Sequence, residues 1–217
     1  MKLGKFIFWM LFLVIFLILL ITSMDDVFMV VVNSYWRYLW FLGGCLLMLI
    51  IDRFSTKNNE ILKTMHHEFT HLFVNLITFR KVLMLKVDTK GGSVASLGKQ
   101  WMIETVSLAP YCLPLLSYVV MLFGSFFAND MGYVFFVLLG LTYAFHLLCV
   151  KSDFISLKIM GRHQTDINQY PLLFSYLYIL CFWLFNTMIV LISIRSDVFR
   201  AYVFMFNNFK ETIMSIF

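Results

Sequence analysis

Charge and proline are what this sequence has least of. Only 13% of its 217 residues are charged and three are proline, against a hydrophobic share of 61% and a mean hydropathy of +0.86. A soluble domain carries about twice that charge on an apolar share nearer one half. An ordinary soluble fold is therefore excluded, and the composition describes a polytopic integral membrane protein. Cysteine is scarce as well. Cys45, Cys112, Cys149 and Cys181 stand singly in apolar runs, without the paired spacing of a cysteine metal site or redox motif, and they read as small buried hydrophobes. The net charge of +5 calls for no nucleic-acid partner, because basic loops on the cytoplasmic side of a membrane account for it. No repeat, low-complexity tract or long linker divides the chain, which leaves a single membrane-embedded domain.

What is present is a series of long apolar runs, at residues 6–21, 35–51, 101–127, 131–150 and 170–194, each near the length a bilayer requires. They predict an all-α polytopic membrane protein with about five transmembrane helices. The first run follows Lys2 and Lys5. It is longer than a signal-peptide core and has only Thr22-Ser23-Met24-Asp25 as a weak cleavage site, so a retained helix with its N-terminus in the cytoplasm is expected. Within the one domain, 1–52 holds two N-terminal helices, 63–168 the catalytic core, 170–194 the last transmembrane helix, and 195–217 an amphipathic interfacial tail.

The most specific signal is His67-Glu68-Phe69-Thr70-His71, which spells H-E-x-x-H. With this chain's His and Glu content, chance supplies such a match only about 0.002 times. On a helix the two histidines lie one turn apart on one face, where both imidazoles reach a single Zn²⁺ and Glu68 can take a proton from water at the metal. The chemistry is metal-assisted hydrolysis; the plain alternative is a helix start whose histidines bond to loops or headgroups. Past the motif only residues 69–79 continue apolar, roughly half of a hydrocarbon core at about 1.5 Å per residue. Lysines and arginines flank the segment on both sides, so the motif helix is expected to enter the membrane and return. Residues 82–94 then read as two short strands around a glycine-bearing turn. Such a hairpin is either exposed in the cytoplasm or lines a wet cavity at membrane depth.

A catalytic zinc site takes three protein ligands and leaves one position open. Charge placement sets Asp25, Asp26 and Asp130 on the outer face and Asp153, His163 and Asp166 on the same side as the motif. Asp166 is preferred as third ligand for one Zn²⁺ per chain, with Asp153 the alternative and His163 after it; Asp166 is equally placed to cap the last long helix. Asn75, on the motif's face, suits either a substrate contact or a bond to a neighbouring helix. Glu104 suits a carboxylate behind a histidine or a helix-dipole partner, and His146 an interhelical bond.

The motif entering a membrane, the glycine-bearing hairpin, and Ser107-Leu108-Ala109-Pro110-Tyr111 opening the next helix together resemble the site-2 protease family of zinc intramembrane proteases. The likeness runs from about residue 66 to 166 and is greatest to its compact, site-2-protease-like membrane metallopeptidase branch. The resemblance implies that His67, His71 and Asp166 hold zinc and that Glu68 activates water to cut membrane-associated substrates. The N-P-D-G and L-D-G motifs of better-known members are absent; Thr165-Asp166-Ile167 resembles the short S-D-x segment of the compact branch. The expected setting is a bacterial inner membrane with the active site toward the cytoplasm, and the partners are the lipid bilayer and a membrane-protein or peptide substrate. Two other readings stand beside this one. A prenyl-type membrane protease would need a Glu ligand, for which only Glu104 and Glu211 remain after the motif. A non-catalytic zinc-binding scaffold would close the fourth metal position.

Overall fold

In the computed structural model the described residues are 3–55, 57–88, 91–98, 102–127, 132–160 and 166–216. They form nine α-helices, one hairpin and a single 3-10 turn. Helices α1 (Leu3–Thr22) and α2 (Met24–Val32) follow one another as one 30-residue apolar span, Leu3–Val32. Helix α3 (Tyr35–Phe54) returns, α4 (Lys57–Ile77) carries the motif, and β1 (Lys81–Asp88) pairs antiparallel with β2 (Gly91–Leu97). Then come α5 (Ile103–Cys112), α6 (Leu115–Phe127), α7 (Gly132–Met160), the 3-10 turn Asp166–Gln169, α8 (Leu172–Ser193) and α9 (Val198–Ile216).

Three stretches are long and apolar enough to cross a membrane: Leu3–Val32, Gly132–Ile155 and Leu172–Ser193. The run at 101–127 departs from the single transmembrane helix expected. It breaks into α5 and α6 with a 75° bend, because Leu113 precedes Pro114 and takes extended backbone angles, φ −101 and ψ 106; a residue before proline avoids the helical region. Counted as one broken span it makes a fourth. The run at 35–51 forms α3, which is not among the three stretches.

Helix α8 is the axis of the core. Its Phe174, Tyr178, Cys181 and Ile189 are almost wholly buried, against Trp9 of α1 (ring centroids 6.4 Å from Phe174 and 6.0 Å from Tyr178) and Leu13, whose carbonyl accepts from Cys181 Sγ. Helices α3 and α7 meet by a different device. A Cβ on Gly44 would stand 2.0 Å from the Val137 carbonyl oxygen, and one on Gly140 would stand 1.9 Å from that of Phe41. Only glycine permits that approach, the usual way helices pack tightly where lipid removes the hydrophobic incentive. Gly140 and Ala144 form a small-x-x-x-small stripe visible in the sequence but not expected there to be a contact.

Helix α4 is amphipathic in the inverse sense. His66, Glu68, Thr70, His71 and Asn75 are buried, while Leu62, Met65, Phe69, Phe73 and Leu76 are exposed. In water this arrangement would be unfavourable; against lipid it is the expected one, with ionisable groups turned to the bundle interior. The helix ends at Ile77 in a Schellman motif. The Arg80 N–H donates to the Asn75 carbonyl (2.8 Å) and the Phe79 N–H to that of Leu76 (3.1 Å), with Phe79 left-handed at φ 54. This turn sends the chain straight into β1.

Candidate metal centre

One turn of α4 sets His67 and His71 beside each other with their rings at 70°, Nε2 to Nε2 at 3.1 Å. Asp166 heads the 3-10 turn, which is anchored by wholly buried Ile167, whose carbonyl accepts from Ser175 Oγ on α8. Its Oδ2 reaches His71 Nε2 at 3.0 Å and His67 Nε2 at 3.3 Å, while Gln169 donates to Oδ1 at 2.9 Å. The helix-cap alternative for Asp166 is not adopted: Pro171 occupies the N-cap of α8, with no side-chain cap.

The other nitrogens of the two rings decide what the three converging atoms can do. His71 Nδ1 lies 2.8 Å from the Val106 carbonyl, which can only accept, so Nδ1 carries the proton and Nε2 presents a lone pair. His67 Nδ1 likewise donates to Asp153 Oδ2 at 2.9 Å. Two imidazole lone pairs and a carboxylate oxygen therefore point at one another, an arrangement that repels unless a cation lies between them. The three ligand atoms all fall within 4.8 Å of one another and can hold a metal ion. Tetrahedral ligands about 2.0–2.1 Å from zinc stand roughly 3.3 Å apart, close to the spacing found, so the donor set fits zinc.

Without a metal the same cluster must hold protons. Burial opposes charge on His67, yet its bonds to Asp153 and Asp166 outweigh that and push it up to about 10. Burial would also raise the Asp166 carboxyl, but the hydrogen bonds from both histidines hold it far below the usual carboxylate range. Glu68 is raised by burial, with the two imidazoles pulling the other way.

Val106 owes its free carbonyl to Pro110. In α5 that carbonyl would normally accept the N–H four residues on, and proline has none; His71 takes the place. Asp153, the alternative third ligand, sits on the far side of the His67 ring from the three converging atoms, 2.9 Å from Nδ1, where it can orient that ring. His163, the remaining alternative, lies outside the described residues, as does Asp130. Asn75 donates to the His71 carbonyl (2.9 Å) and accepts from Arg80 Nε (3.1 Å), so it braces the end of α4; these bonds do not go to a neighbouring helix, and the residue lines the cavity described below. Glu104 is 2% exposed and pairs with Lys5 Nζ at 2.6 Å, pinning α1 to α5 far in sequence from any histidine. His146 is wholly buried against His66, ring centroids 5.7 Å apart, with no hydrogen-bond partner among the described residues; the interhelical bond expected of it is not seen there.

A cavity of about 610 Å³ opens over the centre, walled by α4 on one side and by Gly92 to Ser96 of β2 on the other, with Tyr111 and Gln169 beside the metal ligands. The hairpin thus lines the cavity. Gly91 and Gly92 open β2 and are not the turn itself, whose residues 89 and 90 are outside the described set. Gly92 lies so close to Glu68 that an added Cβ would be 2.7 Å from Glu68 Oε1. Arg80, whose Nε also reaches Ser96 Oγ at 3.4 Å, ties α4 to β2; sequence reasoning counted it only as a flanking charge. Compared with known proteins, the chain matches no family model, no curated protein and no solved structure.

Proposed function

We propose that this protein is a zinc-dependent intramembrane endopeptidase of the site-2 protease type. The observation that carries this reading is the convergence of His67 Nε2, His71 Nε2 and Asp166 Oδ2, with the Nδ1 atom of each ring turned to an acceptor, beside Glu68 in a walled cavity. The inverse amphipathicity of α4 supports its immersion in lipid as a re-entrant helix. In this reading α3 and the bent α5–α6 pair are further crossings, which would make five spans and put the centre level with the cytoplasmic face of a multi-pass protein in a bacterial inner membrane.

His67, His71 and Asp166 hold the zinc; when bound, the ion supplies Lewis acidity that polarises a peptide carbonyl and acidifies water. Glu68 takes the proton from the attacking water and returns it to the departing amine, work that its burial-raised carboxyl suits. Gly92 gives Glu68 its room. A substrate helix must unwind before its carbonyls are reachable, and β2, with one edge toward the cavity, can hold the unwound segment as an added strand.

Metal analysis of protein purified without chelators, joined to cleavage of a membrane-helix substrate, tests the proposal. One zinc per chain that is lost in His67→Ala and Asp166→Asn is expected, with Glu68→Gln retaining zinc and losing turnover. A second reading has its own observation: a protonated His67 between Asp153 and Asp166 satisfies the cluster with no metal. Wild-type protein without zinc would favour that reading, a structural ion cluster in a non-catalytic scaffold.

A further inference from the structure

The bundle has a second, larger cavity of about 1120 Å³ at its other end. It forms where α3 begins, where α7 begins, and where α8 gives way to α9. Gly132 on its wall and Asp153 at the metal centre lie on the same unbroken helix, α7. At about 1.5 Å per residue they are roughly 30 Å apart, the thickness of a hydrocarbon core. If the metal centre is at one membrane surface, this cavity is at the other.

Its chemistry is uneven in a telling way. Arg37, Arg195 and Arg200 line it, and Asp197 is the one acidic residue among its described lining, so positive charge is in excess. Asp197 pairs with Arg200 at 3.2 Å. Arg37 Nη1 donates to the carbonyls of Ile194 (3.3 Å) and Arg195 (3.2 Å), and its guanidinium faces the Phe136 ring at 5.8 Å. Arg37 therefore clamps the start of α3 to the end of α8 and holds its charge at the cavity wall. Three arginines at the end opposite the basic cytoplasmic loops run against the usual placement of positive charge, so topology does not explain them.

Aromatic side chains stand beside the arginines at the rim. Trp36, Trp40 and Tyr133 are 64%, 51% and 57% exposed, and the rings of Trp40 and Tyr133 lie 5.8 Å apart. Exposed Trp and Tyr at this depth belong to the headgroup layer. Guanidinium forks match phosphate oxygens in pairs. The cavity also exceeds the roughly 300–1,000 Å³ of ordinary small-molecule sites, and a smaller one of about 380 Å³ adjoins it, sharing Trp36, Arg37 and Arg195. That is room for a headgroup with the beginning of its chains.

We propose that this cavity binds the phosphodiester headgroup of an anionic membrane phospholipid, gripped by Arg195 and Arg200 beside Arg37, with Trp36, Trp40 and Tyr133 against its glycerol and upper acyl chains. The exposed aromatic rim selects a lipid over a soluble phosphate. The site does not depend on the peptidase reading; it rests on the chain's place in a membrane and on the orientation that its basic loops imply. A lipid held there would join α3, α7, α8 and α9 at the face remote from the metal.

The test uses the full chain in nanodiscs of phosphatidylcholine with or without phosphatidylglycerol, reading retained lipid by native mass spectrometry, unfolding temperature, and zinc content. Wild type is expected to retain phosphatidylglycerol selectively and to unfold at a higher temperature in its presence. Arg195→Gln with Arg200→Gln should weaken that retention about tenfold or more, with the zinc content of wild type unchanged, while the Lys pair at the same positions recovers part of it. No selective retention by wild type, or equal retention in a folded Gln double variant, overturns the proposal. Should the Gln pair fail to fold, the wild-type lipid comparison and the Lys pair decide: the Lys pair must retain less phosphatidylglycerol than wild type and more than phosphatidylcholine. Soluble glycerol phosphate is the remaining arm. Displacement of the lipid by it at equal concentration would make the ligand a free phosphate ester and overturn the lipid assignment.

Discussion

Replacing Pro110 by alanine should make the helix better and the metal site worse. Proline at 110 leaves the Val106 carbonyl without a helical donor, and His71 Nδ1–H occupies it at 2.8 Å. Alanine restores the N–H, closes the bond within α5 and draws the carbonyl into line with the helix axis. Losing a partner behind a metal-ligating histidine costs about 10–100-fold in metal affinity, or roughly 1.4–2.8 kcal/mol. A carbonyl has two acceptor lone pairs, so the bond to His71 weakens without vanishing, and the low end, about tenfold, is expected. Stability of the metal-free fold should move the other way, since an interior proline disfavours a helix by up to about 3 kcal/mol. The assay is zinc titration against a competing chromophoric chelator, paired with thermal unfolding in excess chelator, with Pro114→Ala at the bend as control. Unchanged zinc affinity in a Pro110→Ala protein of normal or higher stability would refute the argument that the proline serves His71.

The other expectations concern the same centre. Gly92→Ala should push the Glu68 carboxylate aside, because the new Cβ would lie 2.7 Å from Oε1; turnover should fall on the order of 100-fold with zinc content intact, and a parallel loss of zinc would point to a wider disturbance. Asp153→Asn should keep zinc but bind it about 10–100-fold more weakly, whereas Asp166→Asn should lose it; equal behaviour of the two in a zinc titration would mean that the roles assigned to them are wrong. In chelator-treated protein the raised His67 contributes stability that is complete below its ordinary value of 6.5 and lost as pH climbs through about 10. The depressed Asp166 contributes stability that is present above its ordinary 3.8 and lost on acidification. Metal-free unfolding temperatures should therefore be highest between those ordinary values, and a steady rise from pH 7 to 10 would contradict the protonated cluster.

Much of the candidate site was legible because it is local. H-E-x-x-H needs only one turn of helix to bring His67, Glu68 and His71 together, and a period of 3.6 residues guarantees that turn wherever α4 forms. Topology narrowed the third position to Asp153, His163 and Asp166, since the sidedness of charged loops leaves few such groups level with the motif, and the packing is what brings Asp166 to the two Nε2 atoms. The hairpin was visible in its β-branched and glycine residues, although one of those glycines, Gly92, lies in β2 against Glu68. Less legible were the crossings: residues 101–127 read as one apolar run in spite of Glu104, and only Leu113-Pro114 marks the 75° bend.

What the sequence by itself determined is the solvent and the reagents: a chain too apolar for water, with one helical turn bearing two imidazoles and a carboxylate. What only the tertiary structure decided is the state in which those reagents are held. The assignment of Asp153 to the back of His67 and of Val106 to the back of His71 joins positions 86 and 35 residues apart. The meeting of Arg37 with the end of α8 joins positions more distant still. Hydrogen bonds act over about 3 Å, so partners so far apart along the chain are chosen by how the helices pack. That packing is set by contacts such as Gly44 of α3 against α7 and Gly140 of α7 against α3, whose meaning appears only when both helices are in place.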